Sequence, residues 1–495
     1  MRRAMRKSPL AVAVVLAGLP GIAALPVTAG AGAEPLSPEV LQYVTVNAPL
    51  VALTHVRVID GTGAQASEDQ TVILRNGAIE SIGPASAAAV PQDAKVLELG
   101  GYTVMPGLVG MHDHMFYPAG EAIFHEMAKS FPRLYLAGGV TTIRTTGSIE
   151  PVTDLAIKKQ IDAGKAVGPR MHVSGPYLEG PGSWAPQLAE LNTAEEARAT
   201  VSFWIDRGVD HFKAYNFISR ATLGAAIEAA HKRGIKVTGH LCSIGFREAA
   251  ALGIDDLEHG LVVDTEFFSG KKPDECPDAR AAAAELAKMD VGGAPIQETI
   301  RDLVAHHVAV TSTLPVFEIF VAGKAPLQQR VQDAMSMEAR AAHLASRVQI
   351  DTPAIDPKTG QATPSPWPVL FRKEMEFERA FVKAGGLLLA GLDPTGAGGV
   401  IPGFGDQREV ELLVEAGFTP VEAIRIATAN GAQFLGEQAR IGTIAPGKRA
   451  DLLVIKGNPA QTIADIENVE TVFKDGIGYD SVKLIASVRG LVGIR

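Results

Sequence analysis

The stretch PGLVGMHDHMFYP closes an apolar run on His112 and His114, with Asp113 between them. In an extended strand, residues two apart point to the same side, so both imidazoles project together and the acid turns away. Such a pair can hold a divalent metal ion. Structural histidines also fall at this spacing, so the pair alone does not decide. What separates the two readings is whether other strand-like runs end on donors. Four do: Lys213 in DHFKAY, His240 in IKVTGH, His259 in DDLEH and Asp393 in LLLAGLD. Neutral imidazoles and carboxylates are the donors that a borderline-soft divalent ion takes.

The elements that must position these donors follow from hydrophobic patterning. From about Leu108, short apolar runs alternate with amphipathic helical stretches: GVTTIRTT with DLAIKKQIDAG, RMHVSG with AEEARATVSFWIDRG, VDHFKAY with RATLGAAIEAAHKRG, IKVTGHL with GFREAAALG. IDDLEHG, HVAVTSTL and GLLLAGLD, together with the run ending at Met111, bring the strand-like set to eight. Alternating strand and helix over this length predicts an α/β fold, and eight units predict a TIM-like (β/α)8 barrel over 108–439. Its chemistry belongs at the C-terminal ends of the strands, where the six donors fall. Runs of alternating apolar residues before and after the barrel predict a small β-sandwich built from both chain ends, 36–107 and 440–495. Two irregular stretches, Thr265 to Pro295 and Asp351 to Leu370, fall in βα connections and are expected to close over substrate.

The first 33 residues read as a removed signal peptide: a basic start (Arg2, Arg3, Arg6, Lys7), an interrupted apolar run, then small residues up to Ala33. The predicted location is therefore periplasmic or secreted. Removing this leader, with four cations and no acid, takes the formal charge from −9 to −13. No basic run is left to track phosphates, which argues against nucleic acid. No later stretch is long and apolar enough to span a bilayer. Cys242 and Cys276 could pair in an oxidising compartment or stay free. No motif sets the oligomeric state, so a homo-oligomer stays open.

In PGLVGMHDH, FKAY, VTGH, LEHG, AGLD and the tail TANGAQFLG…GTIAPGKRADLLVI, the chain resembles the amidohydrolase superfamily, nearest its exported imidazolonepropionase-like and metallo-dipeptidase-like members. The resemblance covers nearly all of the chain after the leader. It implies two divalent metal ions, with zinc the leading candidate and manganese, cobalt or iron as others. His112, His114 and Asp393 would hold one ion, and His240 and His259 the other. Lys213, carboxylated by carbon dioxide, would bridge them, and so would a hydroxide acting as nucleophile. The implied activity is hydrolysis of a C–N bond in a small amide: a dipeptide, an N-acyl amino acid or a cyclic amide. Asp393 would also carry the proton from nucleophile to leaving group. Tyr215, Tyr177, Glu179 and Arg144 are candidates to stabilise the oxyanion. Loop packing for the tyrosines and an ion pair for Arg144 are the alternatives.

Two positions bear on subdivision. Deaminases of this superfamily usually carry a glutamate three residues after the fifth-strand histidine. Here that residue is Ser243, which favours a two-metal hydrolase over a single-metal deaminase. Many relatives have an aspartate after the second-strand arginine, where this chain has Thr145. A third reading is a catalytically inactive barrel used for binding. It would require lost ligands, and none is missing. His55, His125, His231, His306, His307 and His343 close no predicted strand and read as surface or packing residues. His172 and His211 read as core or flank.

Overall fold

The structure is a computed structural model that describes residues 35–356 and 358–493. The leader expected over residues 1–33 lies outside the described residues. All eight predicted strands form: β1 (Leu108–Asp113), β2 (Val140–Thr145), β3 (Arg170–His172), β4 (His211–Ala214), β5 (Lys236–Gly239), β6 (Asp256–Glu258), β7 (Ala309–Ser312) and β8 (Leu388–Ala390). Most are buried along their whole length, as parallel strands covered on both faces must be. A helix stands between each strand and the next, from Phe131–Ala137 after β1 to Trp367–Lys383 after β7, and Phe404–Glu415 follows β8. Several helices start at side-chain caps: Thr193 accepts from the Glu196 amide, and Ser219 from that of Thr222.

Hydrogen bonds resolve the eight strands as two parallel sheets, β3-β2-β1 and β4-β5-β6-β7-β8. Between them the links are sparse. On the β3 side Gly175 N donates to His211 O at 2.9 Å, Asp210 N to Val173 O at 3.0 Å, Leu178 N to Lys213 O at 2.9 Å and Tyr215 N to Leu178 O at 3.0 Å, and beyond β8 Asp393 N donates to His112 O at 3.0 Å. The ladders therefore establish an α/β fold with a parallel strand set. They do not by themselves draw an unbroken eight-strand barrel.

The β-rich chain ends pair as predicted, with a difference in form. In place of two separate layers, hydrogen bonds join them into one nine-stranded mixed sheet. Leu452–Lys456 from the C-terminal side runs antiparallel to Tyr102–Pro106 from the N-terminal side, in register Leu452 with Pro106. Val51, Leu53, Val72, Val104, Val454 and Phe473 form its buried core. The sheet ends at Asp480, and the chain then returns to the helical layer. Ser481 donates to Ala137 O, and Val492 O accepts from Ser336 N.

Cys242 and Cys276 form a disulfide with Cα atoms 5.0 Å apart. It ties the irregular stretch after β6 to the chain just beyond β5. The second irregular stretch contains an exposed two-stranded hairpin, Ala354–Ile355 with Ala362–Thr363. Among the described residues no helix is long and apolar enough to cross a membrane.

Candidate metal centre

The strand ends bring all six donors to one place. Asp393 is the hub. Its carboxylate lies 3.6 Å from His112 Nε2, 3.5 Å from His114 Nε2 and 3.8 Å from His259 Nε2. Donor atoms around a tetrahedral zinc, with bonds of about 2.0–2.1 Å, stand roughly 3.3 Å apart, so this spacing suits a shared ion. His112, His259 and Asp393 each offer a ligand atom within 4.8 Å of the others. Lys213 Nζ lies 3.0 Å from His112 Nε2. The His240 ring packs 4.4 Å, centroid to centroid, from that of His259.

Three of the imidazoles are locked from behind. His112 Nδ1 lies 2.8 Å from Glu258 Oε2, His114 Nδ1 lies 3.2 Å from Gly147 O, and His259 Nδ1 lies 2.7 Å from Thr313 Oγ1. With Nδ1 engaged in each, the three Nε2 lone pairs point to the common centre. This is the arrangement that fixes the tautomer of a metal-binding histidine. Burial, reinforced by the nearby Lys213 charge, drives the His112 and His114 pKa well below the usual imidazole value. His240 falls to about 3 for the same reasons. The rings are therefore neutral donors. Burial also lowers Lys213 to about 8 and raises Asp393 to about 6.

Backbone geometry aims two of the donors. His259 has φ 71° and Asp393 φ 49°. Non-glycine residues in this left-handed region are uncommon and gather at functional sites. At His259 the turn breaks strand alternation, so Glu258 and His259 both reach the interior although they are neighbours. Gly391, in the AGLD motif, lets β8 approach β1 closely. A Cβ there would lie 2.4 Å from the His112 backbone N and from its Cβ.

The remaining predicted residues divide. Tyr177 and Tyr215 line the cavity over the centre, their ring centroids 5.6 and 5.7 Å from Lys213 Nζ. Burial raises both phenol pKa values, so both hydroxyls keep their protons as donors. Arg144 does not reach this cavity. It is fully buried among the strands, and its Nη2 donates to Asp256 and Glu258 at 2.9 Å each. Its Nε donates to Met111 O at 2.7 Å, so it braces the centre rather than lining it. Glu179 accepts from the Gly180 and Phe217 amides through Oε1, at 2.8 Å each. The Ser243 hydroxyl donates to Ile218 O at 2.6 Å.

Sequence reasoning missed Glu258, because strand alternation assigns it to the side opposite His259. It also missed the hairpin Phe116–Gly120 with Ile123–Glu126, which forms one wall of the cavity. That wall takes the place of the two irregular stretches, which line the cavity nowhere among the described residues. From the second stretch Trp367 stands behind the opposite wall, stacked 5.7 Å from Phe317 and 4.9 Å from Phe320. A second group able to hold a cation consists of His172, Asp210 and His211 at the start of β4. There the two Asp210 oxygens lie 2.9 Å from the two Nδ1 atoms, one each.

Comparison with known proteins agrees with this geometry. The amidohydrolase family profile matches residues 103–355 and 370–477. A Bifidobacterium longum protein assigned as a prolidase superposes with a TM-score of 0.63 at 26% identity, covering 89% of this chain and 98% of that one. A Xaa-Pro dipeptidase with methionine bound in its active site superposes with a TM-score of 0.63 at 21% identity, covering 87% and 100%. Likeness at this second level of identity speaks for the fold. Among curated proteins, a dihydroorotase from Anaeromyxobacter dehalogenans is 27% identical over 187 residues, 37% of this chain. The match spans 40% of that dihydroorotase.

Proposed function

Because the chain belongs to the amidohydrolase family, we propose that it hydrolyses the C–N bond of a small amide at a two-metal centre. The substrate class is a dipeptide, an N-acyl amino acid or a cyclic amide. The observation that carries this reading is the convergence of His112, His114 and His259 on Asp393, each with its Nδ1 held from behind. His112, His114 and Asp393 would hold one ion, His240 and His259 the other. Zinc suits this nitrogen-rich set best. Bound as a pair, divalent ions supply Lewis acidity to the scissile carbonyl and bring the pKa of a water toward neutrality.

The other steps belong to the chain. Lys213 as an ammonium repels cations. Its free amine can add to carbon dioxide and release a proton, and the anionic carbamate so formed would offer two oxygens to the ions. Fully buried beside His112, Lys213 is biased toward that free amine. Asp393 takes the proton of the attacking water and returns it to the leaving nitrogen. Tyr177 and Tyr215 donate hydrogen bonds to the oxygen where charge develops. The eight strands close as a (β/α)8 barrel over 108–439, with 36–107 and 440–495 as its flanking β module. The Cys242–Cys276 disulfide supports an exported enzyme whose leader, 1–33, is removed. Ser243, turned to a backbone carbonyl where a deaminase would place its acid, favours hydrolysis over deamination.

The test is a panel of dipeptides, N-acyl amino acids and cyclic amides offered to protein loaded with two equivalents of zinc. Turnover that is lost in Asp393→Asn is expected. Full turnover in that variant, or none in the loaded wild type, overturns the reading.

A further inference from the structure

The cavity over the metal centre, about 360 Å³, has a wall chemistry that discriminates among the amides proposed above. A chain of ring contacts leads from one candidate ligand to another. The His114 ring stacks on Phe116 at 4.4 Å, Phe116 meets Phe124 at 5.2 Å, and Phe124 meets Trp184 at 6.2 Å. Trp184 meets Tyr215 at 6.5 Å, and Tyr215 meets His240 at 5.1 Å. Phe317 and Phe320 form the opposite wall. The collar is held in place at its lip: Phe124 N donates to Gln187 Oε1 at 2.7 Å, and Gln187 Nε2 donates back to Phe124 O at 3.0 Å.

The charge inventory of this wall is the second observation. Among the described lining residues the only lysine or arginine is Lys213, which belongs to the centre itself. Arg144 is committed to Asp256 and Glu258, outside the cavity. Away from the centre, the only carboxylate among the described lining residues is Glu121, exposed on the hairpin turn. A carboxylate taken against this aromatic wall, away from the centre, loses its hydration and meets no lysine or arginine among the described lining residues.

We infer that the substrate is an uncharged amide bearing an aromatic or bulky apolar group, and that amides with a free carboxylate are discriminated against. The inference rests on the hydrolase reading and narrows it to uncharged amides, setting aside dipeptides and N-acyl amino acids with a free carboxylate. Trp184, Phe124 and Phe320 are the specificity residues, flat surfaces that bury the apolar group.

The test compares methyl 4-acetamidobenzoate with 4-acetamidobenzoate, which share the scissile amide and differ in charge, by the arylamine released from zinc-loaded protein. A kcat/KM ratio of about 10- to 100-fold in favour of the ester is expected, the size of an unpaired buried polar group. Leu188→Arg and Phe320→Arg, two separate wall positions, should each shift the ratio toward the acid. A calorimetric titration of the full chain with methyl 4-aminobenzoate and with 4-aminobenzoate gives a readout independent of turnover. Tighter binding of the neutral compound supports the inference. Equal or tighter binding of the acid, or a kcat/KM favouring it, overturns the inference even if hydrolysis is real. If no amide on any panel is turned over, the hydrolase reading fails, and the titration alone decides the specificity of the cavity.

Discussion

His112 and Glu258 meet through Nδ1 and Oε2 at 2.8 Å, with both side chains closed to solvent. The same carboxylate accepts from Arg144 through its other oxygen. One acid thus fixes the imidazole of a candidate metal ligand and is itself held by a buried guanidinium. Glu258→Gln keeps the shape and removes the charge. Metal affinity, measured by competition with a chelator, should fall by about 10- to 100-fold. Unchanged affinity would mean that the contact is only packing.

Gly391→Ala tests the close approach of β8 to β1. The added methyl would meet the His112 backbone, which cannot yield without moving the imidazole. The expected result is a loss of about 1–3 kcal/mol in denaturant unfolding, accompanied by weaker metal binding. An alanine variant with native stability and metal content would remove this constraint from the account.

Tyr177→Phe and Tyr215→Phe separate hydrogen bonding from packing, since each keeps its ring. If the hydroxyls serve the oxyanion, each change lowers kcat by roughly 100-fold or more and leaves KM near its original value. A rise in KM alone would assign the tyrosines to substrate binding.

Stability should depend on pH through buried carboxyls that do not line the cavity. Burial raises Glu378 to about 8, against the opposing effect of Ser312. Its folded pKa lies above its unfolded one, so the folded state holds the extra proton between them. The stability this contributes is complete below about pH 4.5 and is lost as pH rises through about 8. Glu378→Gln mimics the protonated form and escapes the loss. Its unfolding free energy relative to wild type should therefore rise from pH 5 to pH 8, by an amount on the order of 1–3 kcal/mol. A difference that is flat with pH would show that Glu378 ionises freely in the folded chain.

Much of this arrangement is legible in the sequence because parallel strands write their ends plainly. Each of the eight apolar runs is short and bounded, and five of them deliver the six donors to one side. The two chain ends advertise their pairing by alternation, although not that they would merge into one nine-stranded sheet, since alternation fixes faces and not neighbours. Glu258 stayed hidden because the positive φ at His259 reverses the side that alternation assigns. Arg144, near the end of β2, reads from the sequence as an oxyanion candidate or as half of an ion pair, and its partners Asp256 and Glu258 are remote in sequence and meet it only in the folded interior. The hairpin from Phe116 to Glu126 carries the same apolar letters as a core segment, and only the cavity it borders reveals its purpose.

A pair of metal ions held by six side chains would show in a crystal structure of zinc-loaded protein with anomalous data collected above and below the zinc edge. Two peaks are expected. One should be bounded by His112, His114 and Asp393, and the other by His240 and His259, with added density joining Lys213 Nζ to both. Two ordered sites with an unmodified Lys213 would leave the hydrolytic centre and remove the carbamate bridge. The absence of any zinc peak among these residues, under saturating metal, would mean that the six side chains form no metal centre.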